Sequence, residues 1–384
     1  MDKFKVLFLS SSSRYSIPEP REHIVKKYTE LSKLADINVM AVSADGKRKT
    51  GIIEGSKFYL VPNLKIGPID ALLYVVYSTL DGLRINKNKK VDIIYPQTGF
   101  IDGLVALFLK KVIGAKMIVG VHGDWEMEIM YSKPHVYRFM PLLNLSVRFV
   151  LKNADCIRAI SKATKKKALE FVREDKICPT MFPAFFDAEF FLKDEPVESK
   201  ENSVVFVGSL IGRKGIDYLI QAVPHVVKSF KDFKLYIVGE GKLKSYLMDL
   251  ASELGVEDYV IFTDHLSAEE VKEYIDKSRA LLLPSLSEGL GRIVLEAMAR
   301  GKPVIGSNVE GIKESIKDGS NGVLVEPRDV DGIANAVIYV LKNKEGSRKM
   351  GLEGRKFVMR TYSMERYKEN YKKLFKFALA SDVR

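Results

Sequence analysis

Short β-branched runs alternate with longer amphipathic stretches along this chain, break once, and then begin again. In the first half the strand-like runs are 5–9, 37–42, 92–95, 116–121 and 156–160, with helical periodicity near 21–35, 69–86, 101–113, 136–152 and 162–173. Parallel strands need a crossover between them, so this alternation calls for a mostly parallel sheet covered by helices. A run such as Met117-Ile118-Val119 has no polar face, as a strand buried on both sides requires. The pattern stops over 183–203, where Pro183, Pro196 and a charged stretch from Lys193 to Asn202 read as an interdomain connection. It restarts with strands at 203–208, 234–238, 260–263, 280–284, 303–306 and 322–325. Helices fit near 214–230, 242–254, 268–277, 292–300, 329–343 and 346–361, and a basic amphipathic helix over 364–380 closes the chain. The expected fold is α/β, two doubly wound Rossmann-like domains facing a cleft, with ligands at the carboxyl ends of the strands.

Composition removes several classes. With 46% hydrophobic and 29% charged residues the chain is globular, not disordered or fibrous. Two cysteines, Cys156 and Cys178, cannot make a disulfide framework or a tetrahedral zinc site, which points to a reducing compartment. No apolar run reaches the roughly 18 residues of a spanning helix. The opening Val6-Leu7-Phe8-Leu9 is too short for a signal sequence and reads as a first buried strand. Charge is lopsided. Residues 1–186 hold 30 basic and 18 acidic side chains, the entire surplus of +12, while 187–384 hold 31 of each. A basic half suits an anionic partner, whether a phosphorylated ligand, a nucleic acid or an anionic membrane; a solvated Lys-rich surface gives the same count.

The second half carries glycine turns between strands and helices. In Pro284-Ser285-Leu286-Ser287-Glu288-Gly289-Leu290-Gly291, the glycines admit close approach of a ligand, and the helix beginning near Gly291 presents free N–H groups to a phosphate. Glu288 on the loop and Glu296 on the helix bracket that start, where carboxylates can accept hydrogen bonds from sugar or ribose hydroxyls. Gly208-Ser209-Leu210-Ile211-Gly212-Arg213-Lys214-Gly215 places a guanidinium beside an ammonium, a pair suited to a diphosphate. Gly239-Glu240-Gly241 forms a third such turn, and Ala299-Arg300-Gly301-Lys302-Pro303-Val304 returns the Glu296 helix to the sheet. Taken singly, each also fits a solvated turn. In the first half, Val119-Gly120-Val121-His122-Gly123-Asp124 is a strand end with a polar turn, and a lone His there equally fits a structural role.

In this order, and with Asp318-Gly319-x-Asn321-Gly322-x-Leu324-Val325-x-Pro327 after them, the motifs resemble the retaining glycosyltransferases of family 4, which have the GT-B fold. The resemblance covers essentially the whole chain. It implies an acceptor-binding domain over 1–186, joined by 364–384 as the final helix crosses back, and a nucleotide-sugar-binding domain over 187–363. Arg213 and Lys214 would neutralise the donor diphosphate, and Glu288 would contact the donor sugar. The amides of Gly289, Leu290 and Gly291 would lie near sugar and phosphates, with Gly208, Gly239 and Glu240 in the same site. Glu296 would hold the ribose. His122 matches the family's active-site histidine, and Asp124, with Trp125 and Glu126, is a candidate for acceptor or sugar contact. One departure stands out: the family's glycine-rich loop after the first strand is replaced by Ser10-Ser11-Ser12-Ser13. The serines with Arg14 and Arg21 either bind an anionic acceptor or form a polar turn.

The implied reaction moves a sugar from a UDP- or GDP-linked donor to an acceptor hydroxyl with retention. It uses the leaving phosphate to help deprotonate the acceptor and closes two domains on a hinge. No Asp-x-Asp pair suits a metal–diphosphate site, so no metal and no cofactor beyond the nucleotide-sugar co-substrate is expected. A sugar-nucleotide epimerase of the same fold would turn over its donor without an acceptor. A non-catalytic nucleic-acid binder would rest on charge alone, since zinc spacing, aromatic RNA motifs and a basic zipper are missing, and no nucleic-acid partner is expected. The expected acceptor is a glycan or lipid, and the expected location is the cytoplasm, in peripheral contact with the inner face of an anionic membrane. Residues 136–152 mix apolar bulk with Arg and Lys, which fits a core helix of the first domain or an interfacial one.

Overall fold

A computed structural model describes residues 3–17, 20, 22–132, 134–192, 199 and 201–381. Arg21 and most of the connection over 193–200 lie outside the described residues. The first elements are β1 (Phe4–Tyr15), α1 (Glu22–Ser32), β2 (Ala35–Ser43), β3 (Lys49–Ile53), β4 (Ser56–Val61), α2 (Gly67–Asn88), β5 (Ile93–Pro96) and α3 (Ile101–Ile113). Then come β6 (Lys116–Val121), α4 (Trp125–Ser132), α5 (Pro134–Tyr137), α6 (Met140–Asn153), β7 (Cys156–Ala159), α7 (Lys162–Leu169) and α8 (Ala188–Phe191). The second run holds β8 (Ser203–Val207), α9 (Ile216–Ser229), β9 (Lys234–Val238), α10 (Lys244–Glu253), β10 (Val260–Thr263), α11 (Ala268–Lys277), β11 (Ala280–Leu283) and α12 (Arg292–Ala299). It ends with β12 (Val304–Ser307), α13 (Glu310–Lys313), β13 (Gly322–Val325), α14 (Val330–Lys342), α15 (Lys344–Thr361) and α16 (Met364–Ala380).

Two compact units result. The first contains 1–122, 138–185 and 364–384, and the second 123–137 and 186–363. In the first, seven strands run in the order β3-β4-β2-β1-β5-β6-β7, all parallel except β3. The β3–β4 hairpin is absent from the sequence reading. Its turn is Glu54-Gly55, both at positive φ (48° and 80°), the geometry a two-residue hairpin requires. Helix α16 packs on the sheet through β5, β6 and β7. Tyr367, Tyr371 and Phe375, each four residues from the next on one face, form an edge-to-face aromatic ladder with Phe182, Phe185 and Phe4. The final helix therefore belongs to the core of the unit that begins the chain.

The second unit is a six-stranded parallel sheet ordered β10-β9-β8-β11-β12-β13. Chain order from β8 runs outward through β9 and β10, then jumps back to β11. The direction of winding thus reverses between β8 and β11, where successive crossovers pass to opposite faces of the sheet.

Candidate active site

The loops leaving β8 and β11 are the two glycine motifs, so the second sheet brings them together at its switch point. The Leu286 amide donates to the Arg213 carbonyl at 2.8 Å. Gly215 has φ 65°, and a Cβ there would stand 2.3 Å from the Pro284 carbonyl oxygen. Only glycine lets the strand-β8 turn lie this close to the strand-β11 loop. Gly239 serves the same end, since its Cβ would fall 2.1 Å from the Gly208 carbonyl oxygen. The Leu210 amide donates to the Glu240 carbonyl at 2.8 Å, while the Glu240 side chain is exposed.

Four charged side chains meet at this junction. Glu288 Oε1 accepts from Lys214 Nζ, lies 3.3 Å from Arg213 Nη1 and accepts from Ser285 Oγ at 3.1 Å. Arg213 donates from Nη1 to the Ser287 carbonyl at 3.0 Å and from Nε to Glu128 Oε2 at 2.9 Å. Arg213 and Lys214 are thereby held by fixed partners at the end of a buried sheet. Helix α12 starts beside them at Gly291 (φ 70°), with no side chain capping its first amides. Glu296 is buried one turn further along and accepts from Arg292 Nε at 3.0 Å. Burial raises its carboxyl pKa, against the opposing charge of Arg292.

In the first unit, His122 directly follows β6. Its ring folds back over Gly120, where a Cβ would stand 2.6 Å from Nε2 and 3.2 Å from the Gln97 carbonyl oxygen. Nε2 is buried and has no hydrogen-bond partner among the described residues. Burial, with the Arg158 and Lys27 charges behind it, lowers the imidazole pKa to about 3. The ring is neutral through the physiological range. Its contribution to stability is complete above the ordinary value of 6.5 and is lost as pH falls through about 3. We expect its ring signals to stay flat in NMR from pH 8 to about 5. A midpoint near 6.5 would contradict the buried placement.

The serine loop is not a free turn. It continues β1 through a register shift between Ser10 and Arg14, and Ser11 Oγ donates to the buried Asp102 at 3.3 Å. Asp102 also accepts from the Thr98 amide at 2.9 Å, so it ties the ends of β1 and β5 together at the reversal point of the first sheet. Burial holds its pKa up at about 6 despite these donors. Arg14 is exposed on this strand. Asp124 caps α4, accepting from the Glu126 amide at 3.0 Å and the Met127 amide at 3.3 Å. Two participants escaped the sequence reading. Ser285 carries no signal beyond its place in the loop, and Glu128 lies 85 residues from the Arg213 it pairs with.

A family model described as glycosyl transferases group 1 matches residues 187–357. The GDP-mannose-dependent alpha-(1-6)-phosphatidylinositol monomannoside mannosyltransferase of Mycolicibacterium smegmatis is 31% identical over 273 residues, covering 65% of this chain and 68% of that protein. The N-acetyl-alpha-D-glucosaminyl L-malate synthase of Bacillus anthracis is 27% identical over 308 residues, covering 78% of each. Among solved structures, sucrose-phosphate synthase from Thermosynechococcus elongatus superposes with a TM-score of 0.82 at 17% identity, over 99% of this chain and all of that one. HepE from Anabaena, solved with UDP, gives a TM-score of 0.73 at 16% identity, over 97% and 100%. The fold is GT-B. The chain belongs to the group 1 glycosyltransferases, and it is a sugar-transferring enzyme.

Proposed function

We propose that the second unit binds a nucleoside-diphosphate sugar and that the enzyme transfers the sugar with retention to a hydroxyl of a glycan or lipid acceptor taken up by the first unit. The observation that carries this reading is the meeting of Arg213, Lys214 and Glu288 at the switch point, beside an uncapped helix start. The two cations exchange Glu288 for the donor diphosphate while Glu128 and the Ser287 carbonyl keep hold of Arg213, and the first amides of α12 add their dipoles. Glu288, freed from Lys214, accepts from the sugar hydroxyls, and Glu296 accepts from the ribose. The bond between the anomeric carbon and the diphosphate oxygen breaks. The acceptor oxygen bonds to the same face of that carbon, and its proton passes to the departing phosphate. Arg213 and Lys214 stabilise the charge that develops on the leaving group, the part a divalent metal plays elsewhere. The Asp-x-Asp pair in the chain is otherwise engaged: Asp329 caps α14, and Asp331 lies 3.2 Å from His225. His122 supplies a neutral imidazole, a hydrogen-bonding group without charge.

The test is a thermal-shift and calorimetric screen against UDP, GDP, ADP and their sugar conjugates, with EDTA present. One nucleotide should stabilise the protein selectively, and Glu296→Ala should weaken its binding by roughly tenfold through loss of charge-assisted hydrogen bonds. Indifference to every nucleotide would overturn the reading.

A further inference from the structure

Helices α2, α3 and α6 all belong to the first unit, with α3 packed against both of the others. Their buried residues lie on their inner sides. Their outer sides break the rule for a solvated helix. On α2, Leu72, Val76 and Leu80 are exposed at a spacing of four residues, Leu72 by 63%. On α3, Leu104 and Phe108 are exposed in the same way. On α6, Leu142, Leu145 and Phe149 form a third stripe, with Leu142 66% and Leu145 64% exposed. Spacings of three and four keep each set on one helix face. Met140, Val147, Val150 and Leu151 of α6 are buried, so this helix meets the core with one face and leaves the apolar opposite face uncovered. A soluble monomer rarely leaves three neighbouring apolar stripes uncovered.

The charges around these stripes have one sign. Lys87, Lys111, Arg148 and Lys152 are exposed toward the C-terminal ends of the three helices, and none forms an ion pair among the described residues. The carboxylates on these helices are turned away. Asp81 and Asp102 are buried, and Asp70 is held by the Leu64 amide at 2.6 Å. Each helix leads through a short loop into β5, β6 or β7. The basic side chains therefore lie toward the amino edge of the sheet, and the apolar stripes run from among them back along the helices to the carboxyl edge, where His122 stands.

We propose that the outer faces of α2, α3 and α6 form a docking surface for an anionic lipid bilayer. Apolar side chains enter the acyl boundary while the basic side chains meet the headgroups. Charge decides between this occupant and a second copy of the chain. An isologous pairing would set Lys87, Lys111, Arg148 and Lys152 either against one another or onto the apolar stripes of the second copy, both unfavourable, whereas acidic headgroups complement them. The surface also sets the carboxyl edge of the first sheet near the membrane, the position a lipid-borne acceptor needs. The inference rests on the first unit alone, so its failure leaves the nucleotide-sugar reading untouched.

The experiment is flotation of the full chain with vesicles of phosphatidylglycerol and phosphatidylcholine, and of phosphatidylcholine alone, at low and high salt. Wild type should be retained on the anionic vesicles at low salt, with retention falling as salt rises. The variants Leu142→Asp/Leu145→Asp/Phe149→Asp and Lys111→Glu/Arg148→Glu/Lys152→Glu should each reduce retention by roughly tenfold or more. Both change exposed side chains, so unchanged melting temperature and nucleotide binding certify their folding. No retention of wild type, or equal retention of the variants, would overturn the proposal. So would a dimer in sedimentation that the triple Asp variant dissolves, since a second copy would then be the occupant.

Discussion

Replacing Arg213 by Ala should lower kcat by about 10²–10³-fold, the loss expected when one preorganised electrostatic donor to a leaving group is removed. Arg213 is fixed before any donor arrives, by the Ser287 carbonyl at 3.0 Å and Glu128 at 2.9 Å. Its guanidinium therefore needs little reorganisation as charge builds on the departing phosphate, and the loss should fall mainly on kcat, with a smaller change in KM. Arg213→Lys keeps the charge but not the fork, and should recover part of the rate. Lys214→Ala should act in the same direction. The double variant should lose less than the product of the two, because both cations share Glu288. Steady-state kinetics with the donor found in the nucleotide screen decide the matter. A kcat within about threefold of wild type for Arg213→Ala would remove the residue from the chemistry. Folding is a minor concern here, since the side chain lies at a loop outside the apolar core.

What the sequence made legible, and what it hid, follow one physical division. Strands buried on both faces announce themselves as apolar runs, so β6 and β9 to β11 appear in the sequence almost as the structure has them. The closing helix over 364–380 was equally visible from its periodicity. The β3–β4 hairpin was hidden because β3 is a short edge strand and Lys49, Thr50 and Lys57 interrupt the apolar pattern of the pair. Helix α4 was hidden, although Asp124 caps it, because its eight residues carry no sustained apolar stripe. The glycine motifs were legible as motifs, but their immediate cause was not. Gly215 and Gly239 are fixed by backbone-to-backbone approach between loops that are distant in sequence. The Glu128–Arg213 pair, the pocketing of His122 over Gly120 and the uncovered stripes on three helices are relations across the fold, and no window of sequence contains them.

Arg158→Ala should destabilise the first unit by about 3–5 kcal/mol, the range for removing one partner from a buried polar cluster and leaving a large cavity. Arg158 sits in β7, where all four strand residues are buried. Its Nη1 donates to the Tyr95 hydroxyl at 3.0 Å, and its Nη2 donates to the Phe182 carbonyl at 2.9 Å and to the Pro183 carbonyl. The guanidinium carbon lies 4.0 Å from the centre of the Phe182 ring and 5.5 Å from that of Tyr371. One side chain thus fastens β5, the stretch leading into the connection, and α16. It does so without a salt-bridge partner among the described residues, so carbonyl dipoles and ring faces carry its charge. Alanine leaves a hydroxyl and two carbonyls unpaired and opens a void the size of an arginine. Arg158→Met restores volume but not the donors, and should recover only the cavity part. Arg158→Lys offers charge without a planar fork and cannot serve three acceptors at once. Because the chain has two units, the readout is the first-unit transition in urea together with hydrogen exchange at the α16 amides, not one global midpoint. Exchange should accelerate in α16 before it changes in α14. A loss under about 1 kcal/mol would mean that water replaces the guanidinium at all three acceptors. The final helix would then be held by its aromatic ladder alone.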